Sequence, residues 1–116
     1  MKRGDIYWAN LAPRSGSEQT GRRPVIVLSH DAFNKTPGWR SIIVIPVSTS
    51  SSQTRRGPTV AVLPAGTAGL KSDSGAICHQ ITTLDRAKLK ERIGTLTPEM
   101  LTQVEKALLA AVDIHG

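Results

Sequence analysis

The chain of 116 residues carries fifteen Lys and Arg against nine Asp and Glu, a formal net charge of +6, and a single cysteine. That length suits one domain, residues 1–116, with a core that needs no staples, and the lone Cys78 excludes an internal disulfide and a cysteine-based zinc site. No apolar run reaches the roughly 20 residues that span a bilayer and "MKRGDIYW" lacks a signal peptide's apolar region, so a cytoplasmic protein is expected, its charge either favouring polyanionic partners or only keeping it dispersed.

Short Val- and Ile-rich runs separated by Gly, Pro and Ser predict a mainly β, α+β fold: the strands of a small sheet or barrel with a C-terminal helix. In "GDIYWANL" Ile6 and Trp8 alternate with Asp5 and Tyr7, predicting a first strand over Asp5–Leu11. "PVIVLS" and "SIIVIPVST" are near-continuous apolar runs, as in strands covered on both faces. "HDAFNK" could form a turn of helix. "STSSSQTRRGP" cannot bury a core and reads as an exposed loop. "PTVAVLP" and a long, partly polar "GAICHQITTL" follow as strands, separated by the glycine-rich "AGTAGLKSDS". "DRAKLK" allows another short helical turn. The period then changes: Thr97 is placed to cap, Pro98 to occupy the first helical position, and Leu101, Val104, Leu108 and Ala111 recur at helical spacing, predicting a helix from about Pro98 to Ile114.

Two loops carry paired arginines. Arg22 and Arg23 precede Pro24 directly, and Arg55 and Arg56 precede Pro58 by one more residue. A residue before proline is pushed toward extended backbone, so Arg23 is held straight. Successive side chains then point to opposite sides, and only one of Arg22 and Arg23 can face a given groove. A fixed arginine suits a phosphate, which its planar fork binds bidentately. Equally, Glu18 could pair with one of these arginines as a local ion pair, worth about 0–1 kcal/mol if exposed.

Ser48 and Thr49 supply hydroxyls where an apolar strand ends, a position equally natural for turn formers. His79 and Gln80 stand mid-strand with opposite directions, one toward the core and one toward solvent. Trp8, Phe33 and Trp39 could stack on bases, although Trp8 in the first strand suits the core and Trp39 in "TPGWR" a turn. No phosphate-binding glycine loop, zinc-protease motif or nucleophile elbow is present, and the scattered carboxylates form no close pair for a two-metal site, so an enzyme here would need no metal or cofactor.

"KRGDIYWANLAPRSGSEQTGRRPVIVLSHD", then "IIVIPVSTS", then "HQITTLDRAKL" and "IGTLTPEMLTQVEKAL", closely resemble the MazF/PemK/Kid family of toxin endoribonucleases of bacterial toxin–antitoxin systems, in order and over nearly the whole chain. The resemblance implies an SH3-like β-barrel of the kind shared with the gyrase poison CcdB, a C-terminal helix and a homodimer. It implies metal-independent cutting of single-stranded RNA, leaving a 2′,3′-cyclic phosphate and a 5′-hydroxyl, and a MazE-like antitoxin partner with an acidic tail. The family's catalytic arginine falls on Arg23, its catalytic threonine on Ser48, and its glycine-bounded loop on Ser17, Glu18 and Gln19. Its first-strand aromatic falls on Trp8 and its RNA-contacting glutamine on Gln80, with Arg22, Thr49, Arg55, Arg56 and His79 as further RNA contacts. Glu18 would orient Arg23. Two departures stand out: Ser48 replaces the usual threonine, and His79 stands where several relatives carry an acid. The fold equally accommodates a gyrase poison that cuts no RNA, or a non-catalytic nucleic-acid-binding barrel.

Overall fold

The computed structural model describes residues 1–11, 21–49 and 57–114. Within them lie strands β1 (Asp5–Leu11), β2 (Gly21–Val27), β3 (Ser41–Ser48), β4 (Val60–Leu63), β5 (Ser74–Ile77), β6 (Thr82–Asp85) and β7 (Leu89–Thr95), a short helix α1 (Asp31–Asn34), and the helix α2 (Pro98–Ala111). The strands form one antiparallel sheet in the order β4-β5-β3-β2-β1-β7, with β6 also pairing β3. This is the α+β arrangement expected from the alternation of short apolar runs with one helical period.

The apolar residues of β1, β2 and β3 divide by strand alternation between two cores. Ile6, Ile26, Ile45 and Val47 point to a larger core with Leu63, Ala76 and Cys78, which α2 covers through Val104 and Ala107. Ala9, Leu11, Val25, Val27, Ile42 and Val44 point the other way and pack with Leu84, Leu89, Met1 and Tyr7. Helix α2 forms where the spacing placed it. Thr97 caps it by accepting from the Met100 amide at 3.2 Å and Pro98 opens it, while Met100, Leu101, Leu108 and Ala111 flank the buried stripe. It ends at Ala111, short of the expected Ile114.

The opening "RGD" is a structural pin. The Arg3 side chain donates to the Leu28 carbonyl at 3.0 Å and to Glu105 at 2.6 Å, and its amide donates to Asp31 at 2.7 Å, tying the N-terminus to α1 and α2. Asp5 is buried, yet accepts from the Lys2 amide at 3.0 Å and the Thr95 hydroxyl at 2.7 Å, so its carboxylate is not left unsatisfied.

Two expectations need correction, and one strand is added. "GAICHQITTL" is not one strand: β5 ends at Ile77, Cys78–Gln80 make a 3₁₀ turn, and β6 begins at Thr82. Both pieces pair with β3, β5 at Val47 and Ser48 and β6 at Ser41–Val44, and the turn takes up the residues between the two ladders. Strand β2 begins at Gly21 rather than at Pro24, because β1 is long enough to pair Ala9 with Arg23 and Asn10 with Arg22. "LKERIGT" is a strand, β7, unmarked by apolar alternation. "DRAKLK" forms the short helical turn expected of it, a 3₁₀ turn over Arg86–Lys88 capped by Asp85 at the Ala87 amide, before β7 takes over.

Candidate functional site

Ser17, Glu18, Gln19, Arg55 and Arg56 lie outside the described residues. Trp8, Arg22, Arg23, Ser48 and Thr49 lie on neighbouring strands β1, β2 and β3 and at the end of β3, and the sheet divides them between its faces; His79 and Gln80 lie apart, in the turn between β5 and β6.

Arg23 and Ser48 share a face. Val25 is paired with Pro46; Arg23 lies two residues before Val25 on β2, and Ser48 two residues after Pro46 on β3. Alternation puts all four on one side, the side of Val27, Val44 and the smaller core. Continuing the register would set Arg23 opposite Ser48, where the β2–β3 ladder has ended and β3 pairs instead with Gly75 of β5. Arg23 is half-buried and Ser48 is 2% exposed. Tyr7 lies on the same face, paired with Val25. Burial, then the Asp5 carboxylate, pushes its phenol above the ordinary tyrosine value, so it remains a neutral hydroxyl at physiological pH.

Arg22, Trp8 and Thr49 belong to the opposite face. Trp8 pairs with Pro24, and the Arg22 guanidinium, diagonal to it, lies 4.2 Å from the centre of the indole. Trp8 is half-buried rather than core. It forms one wall of a cavity of about 260 Å³ with Pro24, Leu70 and Ile93, while Thr49, Lys71, Ser72 and Ser74 supply polar groups. The cavity exists because the 3₁₀ turn Thr67–Gly69 is pressed against β7: Gly69, at φ +83°, leaves no room for a Cβ beside the Ile93 carbonyl. Lys71, Ser72 and Ser74 escaped the sequence reading, which saw only a glycine-rich turn; the one available signal was a lysine inside "GLKSDS".

His79 and Gln80 are separated as expected, although by a turn and not by strand alternation. Gln80 is buried, 8% exposed, and the turn that holds it contacts β3 and α2. His79 is exposed, and its Nδ1 lies 2.9 Å from the Thr59 hydroxyl. Phe33 and Trp39, weighed as base stackers, stack on each other with centroids 4.6 Å apart. The Trp39 indole N–H donates to the Ser41 carbonyl at 2.7 Å.

Chemically, one face carries a guanidinium and a hydroxyl, two donors for anionic oxygens. The other offers an aromatic surface with a cation over it and a hollow at its side, features that suit unpaired bases. These lie on the two sides of the same strands.

Residues 2–112 match the family described as PemK-like, MazF-like toxin of type II toxin-antitoxin system. An endoribonuclease EndoA of Bacillus subtilis is 36% identical, with 97% of each chain covered. An endoribonuclease MazF of Staphylococcus saprophyticus is 32% identical, with 99% of this chain and 93% of that one covered. Among solved structures, MazF of Deinococcus radiodurans superposes with a TM-score of 0.77 at 27% identity, covering 97% of this chain and 96% of that chain. A MazE–MazF crystal structure from the same organism superposes at 0.73 and 27% identity, covering 99% and 97%.

Proposed function

The chain belongs to the PemK/MazF family of toxins of type II toxin–antitoxin systems, and from that premise we propose that it is an endoribonuclease whose cleavage of single-stranded RNA is driven by the substrate's own 2′-hydroxyl. The oxygen of that hydroxyl bonds to the adjacent phosphorus as the bond to the 5′ oxygen breaks. A base removes the 2′ proton, and the departing oxygen gains one. The products are a 2′,3′-cyclic phosphate and a 5′-hydroxyl, and no metal is required.

The observation that carries this reading is the shared face of Arg23 and Ser48 at adjacent strand ends. As phosphorus becomes five-coordinate, negative charge grows on its non-bridging oxygens, and preoriented donors stabilise that charge more than the ground state. Arg23 does not readily give up its proton, so it acts as the electrostatic stabiliser, with Ser48 as a hydroxyl donor at the same phosphate. Glu18 orients Arg23. Trp8, Arg22 and Thr49 hold flanking nucleotides, together with Ser17, Gln19, Arg55 and Arg56. Gln80 and His79 contribute to base selection. A requirement for the 2′-hydroxyl explains selection of RNA over DNA.

A basic surface attracts acidic peptides as well as RNA, and the net charge of +6 supports control by a cognate antitoxin with an acidic tail. That a related MazF crystallises with MazE is consistent with such a partner, and the functional unit is proposed to be a homodimer in the cytoplasm.

The test incubates the purified protein in excess EDTA with a long RNA and with the same strand carrying 2′-deoxy sugars, alongside Arg23→Ala. Cleavage of the RNA alone, with a 2′,3′-cyclic phosphate at the new 3′ end and strong loss in Arg23→Ala, is expected. Intact RNA in every tube, with DNA gyrase inhibited instead, would overturn it.

A further inference from the structure

Strand β3 ends at Ser48; at its other end the chain holds an aromatic pair that the proposed reaction does not use. Phe33, in α1, and Trp39, in the turn that leads into Ser41, stack with ring centroids 4.6 Å apart and planes 23° from parallel. His30 meets the Phe33 ring edge-on at 6.3 Å, and the Ser41 carbonyl holds the Trp39 indole N–H at 2.7 Å. Large aromatic side chains are ordinarily well buried, yet these two are 44% and 41% exposed. Arg86 fixes the backbone beneath them. Its guanidinium donates to the carbonyls of Trp39 and Asn34, each at 2.8 Å, and of Phe33 at 3.2 Å. Carbonyls are neutral, so these bonds leave the positive charge of Arg86 at the patch. Lys35, the C-cap of α1, and Lys88, two residues after Arg86, are exposed. Of the nearby acids, Asp85 pairs with Arg40 at 2.6 Å and Asp31 accepts from the Arg3 amide. Cations therefore outnumber carboxylates around an exposed stack.

We propose that this patch is a second contact surface for single-stranded RNA, where a base stacks on the Phe33–Trp39 pair and neighbouring phosphates lie against Lys35, Arg40 and Lys88. Every base has a π-face, so such a contact tolerates sequence and adds affinity without adding specificity. The two rings are already ordered against each other, which lowers the entropy cost of adding a third. Charge selects this occupant. An apolar protein segment would cover the rings and leave the cations unmatched, and a second copy of the chain would bring its own net +6. Seven residues of β3 separate Ser41 from Ser48, about 24 Å at roughly 3.4 Å per residue. An RNA long enough to reach from one end to the other is held at two points, and gains avidity that a shorter one lacks. The inference rests on RNA being the substrate, but binding at the patch requires no cleavage.

The experiment takes the full chain with Trp8→Phe, which leaves Trp39 as its only indole, and titrates it with an oligonucleotide of sixteen 2′-O-methyluridines, which 2′-hydroxyl attack cannot cleave. Saturable quenching of the Trp39 fluorescence is expected. In the otherwise wild-type chain, anisotropy of the same oligonucleotide labelled with fluorescein should show a loss of about tenfold in affinity in Trp39→Leu and in the double variant Lys35→Glu, Lys88→Glu. Both lysines are exposed, so the double variant tests the surface without touching the stack, and circular dichroism confirms that each variant is folded. Unquenched Trp39, full affinity in both variants, or equal quenching by an oligoglutamate peptide would overturn the proposal. So would self-association lost in Trp39→Leu with oligonucleotide affinity unchanged, because the patch would then join two copies. RNA cleavage without quenching of Trp39 would remove this proposal and leave the nuclease reading standing, whereas quenching by RNA that stays intact would do the reverse.

Discussion

Arg22 and Arg23 are neighbours in sequence and point to opposite faces of β2: Arg22 lies over the Trp8 indole at 4.2 Å, whereas Arg23 stands opposite Ala9 on the side of Val25 and Ser48. In the proposed reaction, adjacent guanidinium groups would therefore have different work to do. A cation over an aromatic ring at a surface contributes about 0.5–1 kcal/mol, enough to steady a binding surface but not to drive a reaction. A donor aimed at developing charge is worth about 10²–10³ in rate.

Arg23→Ala is accordingly expected to lower kcat by about 10²–10³, while Arg22→Ala raises KM a few-fold and leaves kcat nearly unchanged. Steady-state kinetics on a short fluorogenic RNA separate the two. A larger kcat loss in Arg22→Ala would move the reacting phosphate to the Trp8 face of the sheet.

Ser48 is closed in at 2% exposure, so its hydroxyl cannot be deleted without consequence. Loss of a buried hydrogen-bonding group costs about 1–3 kcal/mol, and if Ser48 serves the phosphate the loss falls on kcat. Ser48→Ala is expected to reduce kcat about tenfold or more while Ser48→Thr, which keeps the hydroxyl, retains most of it. Parallel melting curves distinguish a catalytic from a structural effect: an equal fall in thermal stability for both variants, with kcat preserved in Ser48→Ala, would remove Ser48 from the reaction.

The parts of this arrangement that could be read from sequence are those with a local cause. Strand β1 ends where the alternation of Asp5–Leu11 ends, and α2 starts where Thr97 and Pro98 place it. The split between Arg22 and Arg23 follows from alternation alone. Which of the two shares a face with Ser48 does not, because that depends on the pairing of Val25 with Pro46 across two strands. Strand β7 stayed hidden because Lys90, Glu91 and Arg92 give an edge strand the charged character that discourages further pairing, at the expense of the apolar signal. The break at Cys78–Gln80 is likewise invisible in an apolar run, since its cause is β3 being shared by β5 and β6. Lys71 and Ser72 reach the Trp8 cavity only through the packing of the Thr67–Gly69 turn on β7.

That packing carries its own prediction. A Cβ at Gly94 would lie 2.1 Å from the Ala68 carbonyl oxygen, a backbone atom that cannot turn aside, and Ala68 is itself left-handed at φ 48°. Overpacking of this kind costs about 1–3 kcal/mol or more. Gly94→Ala should lower the urea midpoint correspondingly and weaken RNA binding, because the displaced turn carries the Gly69 and Leu70 wall of the cavity. Wild-type stability in Gly94→Ala would mean that the turn and β7 are less closely apposed.

Cys78 reports on the larger core from within. It is fully buried, and its thiol lies 3.6 Å from the carbonyls of Ala76 and Val104, linking β5 to α2. Burial, only partly offset by a hydrogen bond with the Ala61 backbone, pushes the thiol up to about 12. The folded chain thus holds its proton where an unfolded thiol, ionising near about 8.5, has released it. Below that value both states are protonated and the group makes stability independent of pH. Above it the unfolded state is favoured by roughly 1.4 kcal/mol per pH unit, until the folded thiol also ionises. Alkylation by iodoacetamide near neutral pH should therefore proceed only at the rate of unfolding, and stability should fall between about pH 9 and 12 more steeply in the wild type than in Cys78→Ala. Urea midpoints of the two proteins across that range test the sign. Parallel curves, with rapid alkylation of the folded protein, would mean that α2 opens readily over the core it covers.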